Sequence, residues 1–257
     1  MQRDSVAYIV GFAALVCVVC ALLVTGSAVS LNEEQRANRA LDRQVNVLYA
    51  AGLAAPGDGT SKPDLSRLFS ERVRPVAIDM KTGQPTENVD AATFDMERSA
   101  ADPETGIDAP PNMASIKRLP KTAVIYEVLS ESGEVEMVVL PIKGYGLWST
   151  LYGFLAVGRD GNTVRGITYY QHGETPGLGG EVDNPRWKAL WPGRQIYNDE
   201  GEVALSVIKG SAGPPSADPY RVDGLSGATI TSRGVSNMIH FWLGENGFGP
   251  YLESFRG

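Results

Sequence analysis

Four hydroxyls stand close together near the C-terminus: Ser226, Thr229, Thr231 and Ser232, within the run Asp223-Gly224-Leu225-Ser226-Gly227-Ala228-Thr229-Ile230-Thr231-Ser232. Gly224, Gly227 and Ala228 leave the backbone between them open to close approach by a ligand. Arg233 to Leu243 follows directly, with Val235, Met238, Ile239 and Trp242 recurring at helical spacing and Gly244 placed as a stop. The run is therefore a hydroxyl-rich loop entering a helix. Free backbone N–H groups and the positive end of the helix dipole make such a place favourable for a phosphate. On local physics alone a plainer arrangement is the commoner one, with Thr231 or Ser232 as the N-cap and the other hydroxyls in turns.

The order of residues separates the two. Asp223 to Thr229 resembles the motif Asp-x-x-Ser/Thr-Gly-Ala-Thr, on which a flavin transferase attaches FMN through its phosphate to the final threonine, here Thr229. Every specified position of the motif is matched.

The elements that must hold this loop begin with a membrane segment. No charge occurs from Ser5 to Asn32, and Val6 to Val29 is almost wholly apolar. About 20 such residues span a bilayer, whereas the apolar core of a cleaved signal peptide is only about 7 to 15, so a retained single anchor is expected over residues 1–31. Both cysteines, Cys17 and Cys20, fall on one face of that helix and are read as small packing residues. Arg3 precedes the span while Arg36, Arg39 and Arg43 follow it, a count that by itself would put the large domain in the cytoplasm. The remainder is long enough for a substantial core, and its acidic balance, −7 for the whole chain of 257 residues, argues against nucleic acid as a partner.

Leu41, Val45 and Leu48 form the apolar face of a helix leaving the membrane and ending before Gly52, and Leu65, Leu68, Phe69 and Val73 suggest a second, shorter one. Pro75 to Met80 reads as a strand. Gln84 to about Ser115 is rich in Pro, Asp and Glu without clear period, which reads as a surface excursion. Residues 32–120 are thus expected as the first part of the soluble domain and 121–257 as the second.

In that second part, Ala123 to Leu129 with Val135 to Ile142, and Phe154 to Val157 with Val164 to Gln171, flank turn sequences and predict two hairpins. Between them, Gly144-Tyr145-Gly146-Leu147-Trp148 offers two readings: glycines admitting a ligand with Trp148 against a planar ring, or a tight turn with a core tryptophan. His172-Gly173-Glu174-Thr175-Pro176-Gly177-Leu178-Gly179-Gly180 reads as a glycine-rich loop turning its backbone amides toward a cofactor, or as an ordinary loop. The only other histidine is His240, so a multi-histidine metal site is not expected. Asp183 and Pro185 should start a short helix, and Val203 to Ile208 is the last clear strand.

Taken in order, the anchor, the exit helix, Gly144 to Trp148, His172 to Gly179 and Ser226-Gly227-Ala228-Thr229 resemble the C subunit of the Na+-translocating NADH:quinone oxidoreductase over nearly the whole chain. The G subunit of the Rnf electron-transport complex shares the Glu-Thr-Pro-Gly-Leu-Gly and Ser/Thr-Gly-Ala-Thr motifs and is the alternative within the same class. A membrane-anchored binding module without flavin is the alternative outside it. The resemblance implies an α+β protein, a single N-terminal transmembrane helix followed by an extracytoplasmic mixed α/β FMN-binding domain with antiparallel hairpins. It implies covalent FMN on Thr229, with Ser226, Gly227 and Ala228 shaping the attachment loop, Asp223 presenting it to the transferase, and Glu174, Thr175 and Leu178 lining the flavin. None of these residues would be an acid, base or nucleophile in turnover. The implied partners are the other subunits of a bacterial inner-membrane complex that oxidises NADH, reduces ubiquinone and pumps Na+, with the large domain on the periplasmic side.

Overall fold

A computed structural model describes residues 5–256, arranged as two compact units, one up to Arg43 and the other from Gln44 onward. Arg3, counted above, lies outside the described residues. In the first unit, helix α1 (Val6–Ser30) starts on Ser5, whose hydroxyl accepts from the N–H of Tyr8, and none of its residues is buried. A helix of this length, apolar all round, is long and apolar enough to cross a membrane. Cys17 and Cys20 are free thiols on its exposed surface. Helix α2 (Asn32–Ala50) follows, separated only by Leu31, whose carbonyl accepts from the N–H of Gln35.

In the second unit the last turn of α2 is followed by α3 (Lys62–Arg72), β1 (Val73–Asp79), α4 (Met96–Ala101), β2 (Gly106–Asp108), β3 (Arg118–Pro120), β4 (Thr122–Leu129) and β5 (Val135–Tyr145). Then come β6 (Thr150–Gly158), β7 (Val164–Gln171), a 3-10 turn (Gly179–Asp183), α5 (Pro185–Lys188), β8 (Ser206–Val207), β9 (Arg221–Val222), α6 (Thr229–Leu243) and α7 (Gly249–Arg256). The main sheet is antiparallel in the order β1-β4-β5-β6-β7. Both expected hairpins are present. β1 pairs along its whole length with β4, so parts of residues 32–120 and 121–257 share one sheet.

The sheet is buried on both faces, which explains why its strands read as long apolar runs. On one face Val124, Tyr126, Val128, Val139 and Phe154 meet Val47 and Leu48 of α2 and Leu65 and Phe69 of α3. On the other, Ile125, Leu140, Ile142 and Leu155 meet Val235, Met238, Ile239 and Trp242 of α6, the residues whose spacing predicted its buried face. α6 is fixed along β5: the Trp242 indole N–H donates to the Lys143 carbonyl at 2.6 Å, and Gly144 lies so close to Met238 that a Cβ there would be 2.6 Å from the Met238 Cβ.

Three expectations change. The stretch from Gln84 to Ser115 is not irregular throughout: Asp95 caps α4 by accepting from the N–H groups of Glu97 and Arg98, and β2 pairs with β3. The strand expected at Val203 to Ile208 contracts to β8, paired in parallel with β9. Helix α5 is capped by Asn184, whose side chain accepts from the N–H of Arg186, while Asp183 closes the preceding turn and ion-pairs with Lys188.

Candidate functional site

The hydroxyl-rich run sits where α6 begins, but the helix starts earlier than its sequence suggests. Thr229 is its first residue and Ala228 occupies the cap position, with no side chain bonded to the free N–H groups. Ser5, Ser61, Asp95 and Asn184 cap α1, α3, α4 and α5, so this terminus stands open where those are closed. Thr231 and Ser232 therefore cap nothing. Both are buried in the first turn, the Thr231 hydroxyl donating to Glu174 Oε2 at 2.7 Å and the Ser232 hydroxyl accepting from the N–H of Leu225 at 3.1 Å. Ser226 and Thr229 are the two hydroxyls of the run that face solvent.

Gly227 adopts φ +70°, a left-handed conformation that reverses the chain ahead of the helix and that other residues take only with strain. A side chain there would also meet Leu178, whose Cδ2 lies 2.9 Å from the position of a Cβ. Leu178 is thus brought against the turn that precedes Thr229.

An open cleft of about 670 Å³ runs beside this helix start, within the usual size of small-molecule sites, about 300–1,000 Å³. Thr229, Ser226 and Gly227 form one side and Ile208 to Ser211 the other, with Lys209 and Arg233 both on the lining. Neither cation was singled out from the sequence. Arg233 directly follows the hydroxyl-rich run that ends at Ser232, and that adjacency is the only local signal. Asp223 is also on the lining, but its carboxylate is engaged: it accepts from the N–H of Ala212 at 2.8 Å and the Ser211 hydroxyl at 3.0 Å, while its own carbonyl takes the Trp187 indole N–H at 2.8 Å. Asp223 thereby ties the opposite wall of the cleft to the motif.

Glu174 differs most from expectation. Its side chain turns inward, accepting at Oε1 from the N–H groups of Trp148 (2.9 Å), Leu147 (3.1 Å) and Ser149 (3.2 Å) and at Oε2 from Thr231. Burial pushes this carboxyl up, but the Thr231 hydroxyl and the three N–H groups outweigh it and hold Glu174 below the usual carboxylate range. The sign of the linkage follows: a depressed folded-state value contributes stability above the unfolded carboxyl range and loses it as pH falls through the folded one. Glu174→Gln should therefore flatten the fall of Tm with acidification below about pH 4.3. Thermal melts of both chains from neutral pH to pH 3 check this, and parallel acid limbs would contradict it.

The loop around Glu174 is held mostly to itself. Thr175 accepts through its carbonyl from the N–H groups of Leu178 and Gly180, the Gly173 N–H donates to the Ser149 hydroxyl, and the Glu174 N–H donates to His172 Nδ1. These amides find their partners within the protein. His172 Nε2 bonds to Asp183 Oδ2 at 2.7 Å, which gives that ring a local partner. Thr175 and Leu178 keep exposed side chains, and Trp148, 66% exposed, is not a core tryptophan. With Leu147 and Ile230 it leaves apolar surface standing near the helix start.

The family model of the FMN-binding domain matches residues 146–244, from the Gly146 turn through α6, which makes this unit an FMN-binding domain. Among curated proteins, the C subunit of the Na(+)-translocating NADH-quinone reductase of Yersinia pestis is 44% identical over 257 residues, covering 99% of this chain and 95% of its own. Its counterpart in Pseudomonas aeruginosa is 46% identical over 247 residues, covering 95% and 94%. The crystal structure of Shewanella oneidensis NqrC superposes with a TM-score of 0.78 at 36% identity, covering 86% of this chain and 99% of that one. The chain belongs to the NqrC family, the C subunits of the Na(+)-translocating NADH-quinone reductases.

Proposed function

We propose that this chain carries FMN as a phosphoester on Thr229 and serves as an electron-transfer subunit of an inner-membrane complex that oxidises NADH, reduces ubiquinone and moves Na+. The observation that carries the attachment is the state of Thr229: an exposed hydroxyl on the first residue of a helix with no side-chain cap, at the edge of a cleft lined by two cations.

The residues present fit such a group. The open N–H groups at the start of α6, with Lys209 and Arg233 nearby, favour the retained negative charge of a phosphodiester. Ser226, Gly227 and Ala228 shape the turn that exposes Thr229, and Asp223 holds the facing wall and completes the motif a flavin transferase reads. Leu178, Thr175, Leu147 and Trp148 offer a partly apolar surface for a planar ring, with Glu174 supporting it from behind. FMN supplies the electron-accepting and electron-donating chemistry when bound, and the protein contributes position and electrostatics. A covalent tether suits an open site, because the ring can face a neighbouring subunit without being lost to solvent.

Co-expression with an active flavin transferase should give a chain that fluoresces as a flavoprotein in a denaturing gel. A colourless chain under those conditions would favour the anchored binding module. The proposed orientation has α1 as the anchor and the domain outside the cytoplasm, against the arginine count. Protease added to intact spheroplasts should accordingly degrade the domain from about Leu31 onward, and full protection would reverse the topology.

A further inference from the structure

We infer that Glu174 and Thr231 form a buried latch that positions the Leu147–Trp148 turn against the start of α6, making Thr231 a positioning residue of the flavin site proposed above. The latch joins three stretches of chain distant in sequence. Glu174 is 5% exposed and Thr231 0%, so neither exchanges its partner for water. Three consecutive N–H groups, of Leu147, Trp148 and Ser149, converge on one oxygen of Glu174 in the manner of an anion-binding nest. The anion here is the protein's own, and its second oxygen is held by Thr231.

The backbone is shaped around this carboxylate. A Cβ at Gly146 would stand 2.6 Å from Glu174 Oε1, and one at Gly179 would stand 2.6 Å from both Glu174 Oε2 and Thr231 Oγ1. Either substitution would occupy the space in which the latch closes. The base of the turn packs on α6, where a Cβ at Gly234 would stand 3.1 Å from Gly146 Cα, but its tip does not: Leu147 and Trp148 are 39% and 66% exposed and contribute no buried side chain of their own. Local bonds, Gly146 N–H to the Ser149 carbonyl and the Tyr145 hydroxyl to the Trp148 carbonyl, fix the shape of the turn, and the Ser149 hydroxyl accepts from the Gly173 N–H. Glu174 is the side chain that ties the amides of that turn to the helix bearing Thr229. The residue that sequence reasoning gave to the flavin lining thus acts from behind the site, through Thr231 and the turn.

The test uses the full-length chain in detergent with the variants T231V, T231S and E174Q. In flavin-loaded protein, T231V and E174Q should retain flavin on Thr229 while its fluorescence anisotropy falls and its midpoint potential shifts, and T231S should match wild type. The double variant should shift no further than E174Q alone. In a flavin-free T229A background, the amides of Leu147, Trp148 and Ser149 should exchange about tenfold faster or more in T231V, as expected for loss of a charge-assisted hydrogen bond. T231V is nearly isosteric and decides the question even where E174Q fails to fold. Wild-type exchange at those amides in T231V would overturn the latch, as would an unchanged flavin signal. The flavin-free arm stands even if Thr229 carries no flavin, so the latch and the attachment site fail separately.

Discussion

Thr229→Val should abolish flavin fluorescence in a denaturing gel while leaving the domain folded. Valine keeps the branched shape of threonine and removes the only oxygen able to form the phosphoester at that position. Thr229 is exposed and its side chain closes no cap, so the change should alter stability by no more than about 0.5 kcal/mol. Thr229→Ala should behave in the same way. Thr231→Ala is the informative contrast, because the two hydroxyls are close in sequence and opposite in setting. It should stay labelled yet lose about 1–3 kcal/mol, since a buried carboxylate oxygen loses its hydroxyl donor and keeps only the longer bond from the Leu147 N–H. Gel fluorescence beside thermal melts separates the two effects. A labelled Thr229→Val chain would contradict the assignment outright.

Gly179→Val should be the most damaging single change in the loop. Its Cβ would press on Glu174 Oε2 and Thr231 Oγ1 at 2.6 Å, at a buried glycine where the two atoms are hydrogen-bonded to each other. Overpacking costs about 1–3 kcal/mol, and a disturbed charge-assisted bond about 1.5–3 more. The sum is a large share of the roughly 5–15 kcal/mol that holds a domain together. A fall in Tm of about 10 °C, with reduced flavin loading, is expected. Gly177→Val meets open space and carries only the strain of a β-branched residue at φ +76°, so its Tm should fall much less. Equal melting of the two variants would show that the collision at Gly179 is relieved by movement of the loop.

What the sequence made legible follows from the range over which each signal acts. The apolar run of α1, the face of α6 carrying Val235, Met238, Ile239 and Trp242, and the turn-flanked hairpins all depend on near neighbours, and all are present. Helix α4 has six residues, too few to establish a period inside a stretch rich in Pro and Asp, and β8 and β9 have two each. The start of α6 was misplaced because the search for a Ser or Thr cap lands on Thr231 or Ser232, whereas the helix opens on Ala228 without a side-chain cap.

The site divides in the same way. Asp223 to Thr229 is one contiguous motif, readable as a string, and its fold exposes the threonine that the motif names. The contact between Glu174 and Thr231 spans 57 residues and exists only once the sheet has brought β7 and α6 to the same end. No local pattern announces it. Trp148 was likewise undecidable from sequence, since a tryptophan between glycines suits a core turn as well as an exposed one. Here its indole is exposed while its backbone N–H donates to Glu174.

Whether Thr229 is the flavin acceptor is decided by peptide mass spectrometry of the wild-type chain, matured with an active flavin transferase. One FMN joined with loss of water is expected on the peptide carrying Asp223 to Ser232, with fragmentation placing it on Thr229. The same mass on Ser226, Thr231 or Ser232, or an unmodified peptide from a chain made beside a transferase proven active, would contradict the assignment.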